Sequence, residues 1–440
     1  IQMNSVEIKQ IIKIVEKFIS DRRLVCYGGT AINNILPHFD QFYNKSTEIP
    51  DYDFFSTDAM NDAKLLADIY SNNGFVNIEA KAGIHHGTYK VFVNYIPVAD
   101  ITYLHPEIFN SFKHKTIQVG GIHYAPPNFL RMSMYLELSR PDGDISRWEK
   151  VVKRLSVLNK HFPLTKLDCT KIDFQRPLQE KHNKPLGQNV FDTIKDAFID
   201  QSAMFFGAYA LSEYSKYMPH NSRKKIKKFA DFDVISIDPK QTADFVVDKL
   251  TGINIKNGKV VKHESVGETI PVHYEIKIGK DTVAYVYKPF ACHSYNLIDV
   301  GKYKVKIATI DTILSFFLAF LYTNRKYYTS FENRIMCIAN FLFDVQQKNR
   351  LEQKGILRRF SINCYGHQQT LTEIRNEKSL KFEELKKNKN DQTEFDEWFL
   401  NYKPSPPTKK DLKSPTTKKK KKTKKKVFNP YNQTRKKKWF

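Results

Sequence analysis

Two aspartates two positions apart, Asp51 and Asp53, follow a Gly28-Gly29-Thr30 run, and a third, Asp100, interrupts the apolar stretch Val98-Ala99-Asp100-Ile101-Thr102. Side chains at i and i+2 of a strand leave the same face, so Asp51 and Asp53 can address one ligand while Tyr52 and Phe54 enter the opposite layer. A lone Asp in an apolar strand is costly, which makes Asp100 the expected third carboxylate of the set. Three such carboxylates suit a pair of divalent ions, which together activate a weak hydroxyl nucleophile and steady a departing pyrophosphate in an in-line displacement. Gly28 and Gly29 let a triphosphate approach the backbone with no Cβ between, and a helix starting just beyond favours negative charge. Thr30 is either a donor to those phosphates or a helix N-cap, and the residue alone leaves both roles open.

These residues need strands and tight turns to hold them. Leu24 to Tyr27 is a short apolar run that stops at the glycines, giving strand, turn and helix. A second strand is expected over Asp51 to Ser56, a helix around Ala63 to Tyr70, and strands at Val76–Ala80, Tyr89–Val93 and Val98–Tyr103. His85-His86 beside Gly87 reads as a hairpin turn. Ile8, Ile11, Ile12, Val15 and Ile19 predict a helix over residues 5 to 20. From Asn128 to Leu158 the period is again helical, with Ser146 and Glu149 as a capping box for a helix whose apolar face holds Trp148, Val151, Val152, Leu155 and Leu158. The opposite face carries Lys150, Lys153 and Arg154, either a solvated face or a clamp over the triphosphate. Residues 160 to 188 read as a connector.

The pattern then returns. Phe206-Gly207-Ala208-Tyr209-Ala210-Leu211 echoes Tyr27-Gly28-Gly29-Thr30-Ala31-Ile32, and Asp231-Phe232-Asp233 echoes Asp51-Tyr52-Asp53 at nearly the same spacing. Ala208 and Tyr209 stand where Gly29 and Thr30 stand, and Tyr285 falls at the place of Asp100. The second copy is therefore expected to be inert, with the Tyr209 phenol obstructing its turn. Arg223, Lys224, Lys225, Lys227 and Lys228 give it a basic edge that is either an RNA contact or a solvated loop. Ile307 to Tyr322 is the most apolar stretch, holds Asp311, and is shorter than the roughly 20 residues of a membrane span, so a buried helix is expected and no membrane partner.

Charge points to a polyanionic partner. The chain of 440 residues has a net charge of +24, of which the segment from Lys403 to Phe440, with sixteen Lys or Arg and the single acid Asp411, supplies +15. That tail, low in apolar residues, is expected to be disordered, serving as an RNA arm, a localisation signal or a solubilising segment. Five scattered cysteines without a C-x-x-C pair suggest unpaired thiols in a reducing compartment and no cysteine zinc site. The chain opens on Ile with no secretory signal in view, which leaves its natural beginning open.

The sequence Gly28-Gly29-Thr30, Asp51-Tyr52-Asp53 and Asp100 resembles the DNA polymerase β-like nucleotidyltransferase superfamily. More widely, YGGTAIN, PDYDFFS, NFLRMSMYLELSRP with RWEKVVKRL, and the degenerate second copy resemble the poly(A) polymerase catalytic subunit of large cytoplasmic DNA viruses, nearest the mimivirus-like branch. The resemblance implies addition of adenylates from ATP to mRNA 3′ ends with Mg²⁺ or Mn²⁺, with Asp51, Asp53 and Asp100 as catalytic metal ligands. It also implies a homodimer, a virion or viral-factory location in host cytoplasm, and in some relatives a processivity partner. The expected fold class is α+β: two tandem mixed-sheet units, the first active (1–187) and the second degenerate with a helical extension (188–400), then a disordered basic tail (401–440).

Overall fold

A computed structural model describes residues 6–44, 49–112, 114–164, 168–172, 174, 187–223, 231–323, 332–387 and 392–405. Lys224, Lys225, Lys227, Lys228 and the tail from residue 406 lie outside the described residues.

In the first unit α1 (Val6–Arg22) buries Ile8, Ile11, Val15, Phe18 and Ile19, the stripe its period anticipates. There follow β1 (Val25–Cys26), α2 (Gly28–Ile35), β2 (Tyr52–Ser56), α3 (Ala59–Asn72), β3 (Ile78–Ala82), β4 (Thr88–Val93) and β5 (Ile96–Tyr103). Next come α4 (Pro106–Ser111), β6 (Ile117–Val119), β7 (Ile122–Tyr124), α5 (Pro127–Leu138) and α6 (Trp148–His161). The strands lie in the order β3-β4-β5-β2-β1-β7-β6. Only β2–β5 and β1–β7 are parallel. Along β4, Tyr89, Val91 and Val93 are buried while Thr88, Lys90 and Phe92 face outward, the period-two alternation of a sheet with one covered face.

The second unit repeats this plan with α7 (Gln188–Asp200), β8 (Met204–Phe205), α8 (Ala208–Tyr214), α9 (His220–Arg223), β9 (Phe232–Ile235) and α10 (Pro239–Gly252). It continues through β10 (Gly258–His263), β11 (His273–Ile278), β12 (Asp281–Tyr287), β13 (His293–Val300), β14 (Tyr303–Ala308) and α11 (Ile310–Phe320). Its order, β10-β11-β12-β9-β8-β14-β13, matches the first sheet strand for strand, and the two parallel pairs recur as β9–β12 and β8–β14. The equivalent helices α5 and α11 pack on each other between the units. Beside them Phe112, Phe129 and Tyr322 meet edge to face at 4.7–5.4 Å. Every residue of α11 is buried.

Beyond α11 the chain forms α12 (Glu332–Lys348), β15 (Cys364–Tyr365) against β13, α13 (Leu371–Lys387), α14 (Gln392–Phe399) and β16 (Asn401–Tyr402). Here the expected boundaries move. Residues 371–405 do not stay with the second unit: β16 adds to the open edge of β3, pairing Asn401 with Lys81 and Tyr402 with Ala80. Tyr402 donates to Asp68 at 2.6 Å, Lys64 pairs with Asp396 at 2.9 Å, and the Tyr89 hydroxyl donates to the Glu397 carbonyl at 2.9 Å. An unpaired edge is a ready template for one more strand, and two residues are too few to announce it by alternation.

Two other expectations are corrected. Four cysteines are bonded, Cys169 to Cys337 and Cys292 to Cys364, leaving Cys26 free and buried. The partners are 168 and 72 residues apart, so only the fold brings them together, and the compartment inference from unpaired thiols loses its support. Ser146 is no capping-box residue. It sits in a 3-10 turn, Ile145–Arg147, with its hydroxyl on Asp144, while Glu149 pairs with Lys153. No helix among the described residues is long and apolar enough to cross a membrane.

Candidate active site

The turn after β1 and the adjacent strand ends set the site. Gly28 opens α2 with φ +73, a left-handed value that favours glycine, and a Cβ there would lie 2.9 Å from Asp53 Oδ2. The Tyr27 amide donates to the Asp53 carbonyl at 3.0 Å, and the Thr30 hydroxyl donates to the Asp51 carbonyl at 2.6 Å. Thr30 thus fixes the backbone of Asp51 and is not the N-cap; Tyr27 holds the cap position.

Across the sheet, Asp53 stands opposite Asp100 in the parallel β2–β5 register, and Lys90 stands opposite Asp100 from β4. Lys90 forms an ion pair with Asp100. Asp53 is half-buried, and burial, then the charges of Asp51 and Asp100, push its pKa up to about 7 against partial relief from Lys90 and Arg147. Burial and Asp100 likewise raise Asp51, opposed by Lys90. The charges of Asp51 and Asp100 thus bear on Asp53, and that of Asp100 on Asp51, although the three do not converge within 4.8 Å. Among the described residues that criterion selects only Asp142 with Cys292 and Cys364, and those sulfurs are disulfide-bonded. Excess negative charge, met only in part by Lys90 and Arg147 and composed of hard oxygens, fits Mg²⁺ or Mn²⁺ in chemistry.

On the other side of the turn, Arg154 reaches Gly29, where a Cβ would lie 2.6 Å from the Tyr43 hydroxyl and 2.9 Å from an Arg154 nitrogen. Arg154 donates to the Tyr43 hydroxyl at 2.6 Å and lies 4.8 Å over the Phe42 ring. Buried Asn33 holds this loop, its side-chain oxygen accepting from the Phe42 and Tyr43 amides at 2.8 and 2.9 Å. Lys150 faces the same way, its pKa lowered first by the charge of Arg154. Lys153 does not: it is exposed and paired with Glu149. A cavity of about 450 Å³ touching Thr30, Asn34, Tyr43, Asp51 and Tyr124 adjoins the turn, a size common for ligand pockets. Lys90, Tyr43 and Asn33 were not singled out by sequence; the alternation that turns Lys90 outward on its strand was the one available signal.

Residues 13–144 match the family model described as the poly(A) polymerase catalytic subunit. The chain is similar to viral poly(A) polymerases. A mimivirus protein of Acanthamoeba polyphaga provisionally named a poly(A) polymerase catalytic subunit is 28% identical over 50% of this chain, and a counterpart in African swine fever virus is 30% identical over 37%. This chain covers 37% and 35% of those relatives' own lengths, less than half of either. In fold it matches the crystal structure of the Megavirus polyadenylate synthase with a TM-score of 0.72 and 21% identity, covering 86% of this chain and 78% of that one.

The second unit places other residues at the same positions. Asp233 stands opposite Tyr285, and Glu275 takes the position of Lys90 opposite Tyr285. The expected obstruction by Tyr209 is corrected: its ring turns inward to Phe205, Phe232 and Phe191 at 4.7, 5.8 and 6.4 Å. As Asp53 does at Gly28, Asp233 packs against Gly207, where an added Cβ would collide with its carboxylate. Of the basic edge, only Arg223 is described, and its guanidinium donates to the Met218 carbonyl at 3.0 Å and to that of Lys216, which ties it to its own turn.

Proposed function

We infer that this chain is a template-independent polynucleotide adenylyltransferase, joining AMP from ATP to an RNA 3′ end with release of pyrophosphate. The observation that carries the reading is the register pairing of Asp53 with Asp100, beside the positive-φ Gly28 that only a small residue tolerates. Asp51, Asp53 and Asp100 would hold Mg²⁺ or Mn²⁺, which when bound supplies charge neutralisation for the attacking oxygen and the leaving group. This chain's own residues do the rest. Gly28 and Gly29 admit the triphosphate to the α2 N-terminus, Arg154 and Lys150 neutralise its outer oxygens, and Tyr43 with Asn33 fixes Arg154. Lys90 pairs with Asp100 and would yield that carboxylate to a bound cation.

The names of the viral relatives support poly(A) synthesis; mRNA as the tailed strand, a viral-factory or virion location, a homodimer and a processivity partner belong to the proposal through the sequence resemblance to the viral enzymes. The second unit, lacking the third carboxylate, serves as scaffold. Incubating the protein with single-stranded RNA and each nucleoside triphosphate separately tests the reading. A long homopolymer from ATP alone is expected; equal use of all four, or none, overturns it.

A further inference from the structure

The row that Asp53 and Asp100 begin continues across two more strands. Lys90 on β4 stands opposite Asp100, and Lys81 on β3 stands opposite Lys90. Directly paired residues share a face, so Asp53, Asp100, Lys90 and Lys81 lie in line on the side of the sheet away from buried Ala80, Tyr89 and Val91. Both lysine side chains are open to solvent, 40% exposed for Lys90 and 44% for Lys81.

Two lysines directly opposite one another repel, so the pair by itself weakens the sheet. Each leans away to an acid, Lys90 to Asp100 and Lys81 to Glu79 on its own strand. Among the described residues Asp100 is the single ion-pair partner of Lys90. Yielding that carboxylate to a cation leaves the Lys90 ammonium beside Lys81, and an anion between them removes the repulsion. Adjacent strands are about 4.8 Å apart, so one phosphate can meet both ammonium groups.

Strand order decides whose phosphate this is. The glycine turn follows β1, and β1 borders β2 on the side away from β5 and β4. In an in-line displacement the attacking and leaving oxygens lie on opposite sides of the reacting phosphorus. With pyrophosphate leaving over β1, the attacking hydroxyl arrives over β5 and β4, where the lysines are. The triphosphate of ATP has the same charge but lies on the far side of Asp53.

We propose that the last phosphodiester of the RNA strand sits between Lys90 and Lys81, Lys90 exchanging Asp100 for it when a cation occupies the carboxylates. The 3′ hydroxyl reaches Asp100 one strand spacing away, and the rest of the RNA leaves across β3. Cation and RNA then strengthen each other's binding. The assignment rests on the adenylyltransferase reading.

Fluorescence anisotropy on the full chain, with a labelled oligoadenylate and no ATP, tests the exchange in Mn²⁺ and in EDTA. In Mn²⁺, Lys90→Gln and Lys81→Gln should each raise Kd about tenfold, the scale of one hydrogen bond to a charged group. Each should also lower the salt slope by about 0.7, the share of one contact to a single strand. In EDTA, Lys90→Gln should bind as wild type does, because Lys90 stays on Asp100. Asp100→Asn should tighten binding in EDTA by freeing Lys90, and the gain should vanish in the Asp100→Asn, Lys90→Gln double variant. In tailing assays Lys81→Gln, remote from the cation ligands, should raise the KM for RNA and leave the KM for ATP. Wild-type affinity and slope in both lysine variants, an Asp100→Asn gain that survives Lys90→Gln, or a loss confined to the KM for ATP overturns the proposal. Wild-type protein that holds RNA through both lysines yet incorporates no nucleotide overturns the reaction instead.

Discussion

Asp53 lies directly across the β2–β5 pair from Asp100, and the same register in the second sheet sets Asp233 across from Tyr285. If the carboxylate pair is what binds the reacting phosphate's cations, Asp53→Asn or Asp100→Asn should each lower nucleotide incorporation by at least about 10²-fold, the scale of losing one charge-stabilising group. Asp233→Asn should tail RNA at the wild-type rate. Primer-extension gels on the three variants, with circular dichroism to confirm folding, give the comparison, and equal losses in all three would place catalysis elsewhere.

Protons and divalent ions compete for Asp53. Its pKa of about 7 lies above the unfolded value near 4. Between those limits the folded state holds a proton the unfolded chain has released, so metal-free stability from this group is greatest at low pH and falls as pH rises through about 7. A bound cation reverses the slope by favouring the ionised form. Thermal melts should show a larger Mn²⁺-induced rise in Tm at pH 8 than at pH 6, with the difference abolished by EDTA and by Asp53→Asn.

The glycines of the turn should separate stability from chemistry. Gly28→Ala meets both a left-handed φ and Asp53 Oδ2 at 2.9 Å, so it should cost about 1–2 kcal/mol from the backbone alone and disturb Asp53 as well. Gly29→Ala meets the tips of Tyr43 and Arg154, which can swing aside. Its Tm should stay near wild type while the KM for ATP rises, because Arg154 leaves the turn. Urea unfolding and steady-state kinetics of the two variants check the split, and a Gly29→Ala protein with unchanged KM would remove Arg154 from the triphosphate site.

What the sequence could reveal followed from how far apart the cooperating residues are. Strand, turn and helix around Gly28 sit within a dozen residues, and the duplication shows as a second copy of the same short pattern, so both were legible. Tyr285 could be set at the place of Asp100 by aligning Val283-Ala284-Tyr285 with Val98-Ala99-Asp100. The ion pair of Lys90 with Asp100 depends on antiparallel register, and the contact of Arg154 with Tyr43 on a helix docking 111 residues away in sequence. Neither leaves a local signature. The return of residues 401–402 to β3 and the pairing of Cys169 with Cys337 are of the same kind, decided by where whole elements pack.

Glu275 gives the second unit a measurable trace of what it lost. It holds the strand position that Lys90 holds in the first sheet, but faces Tyr285 where Lys90 faces Asp100. Burial alone would raise its pKa; hydrogen bonds from His263 at 2.8 Å and from Thr282, with the charge of Lys277, bring it down to about 2. A depressed acid contributes stability that is present above its unfolded value, near 4.5, and is lost as pH falls from there through about 2. Glu275→Gln should therefore lower the urea midpoint at pH 6, with the gap to wild type closing toward pH 2. Tailing activity at neutral pH should be unchanged, since no reacting group touches this network. A gap that persists at pH 2 would mean that the amide fails by packing and that the charge of Glu275 contributes nothing.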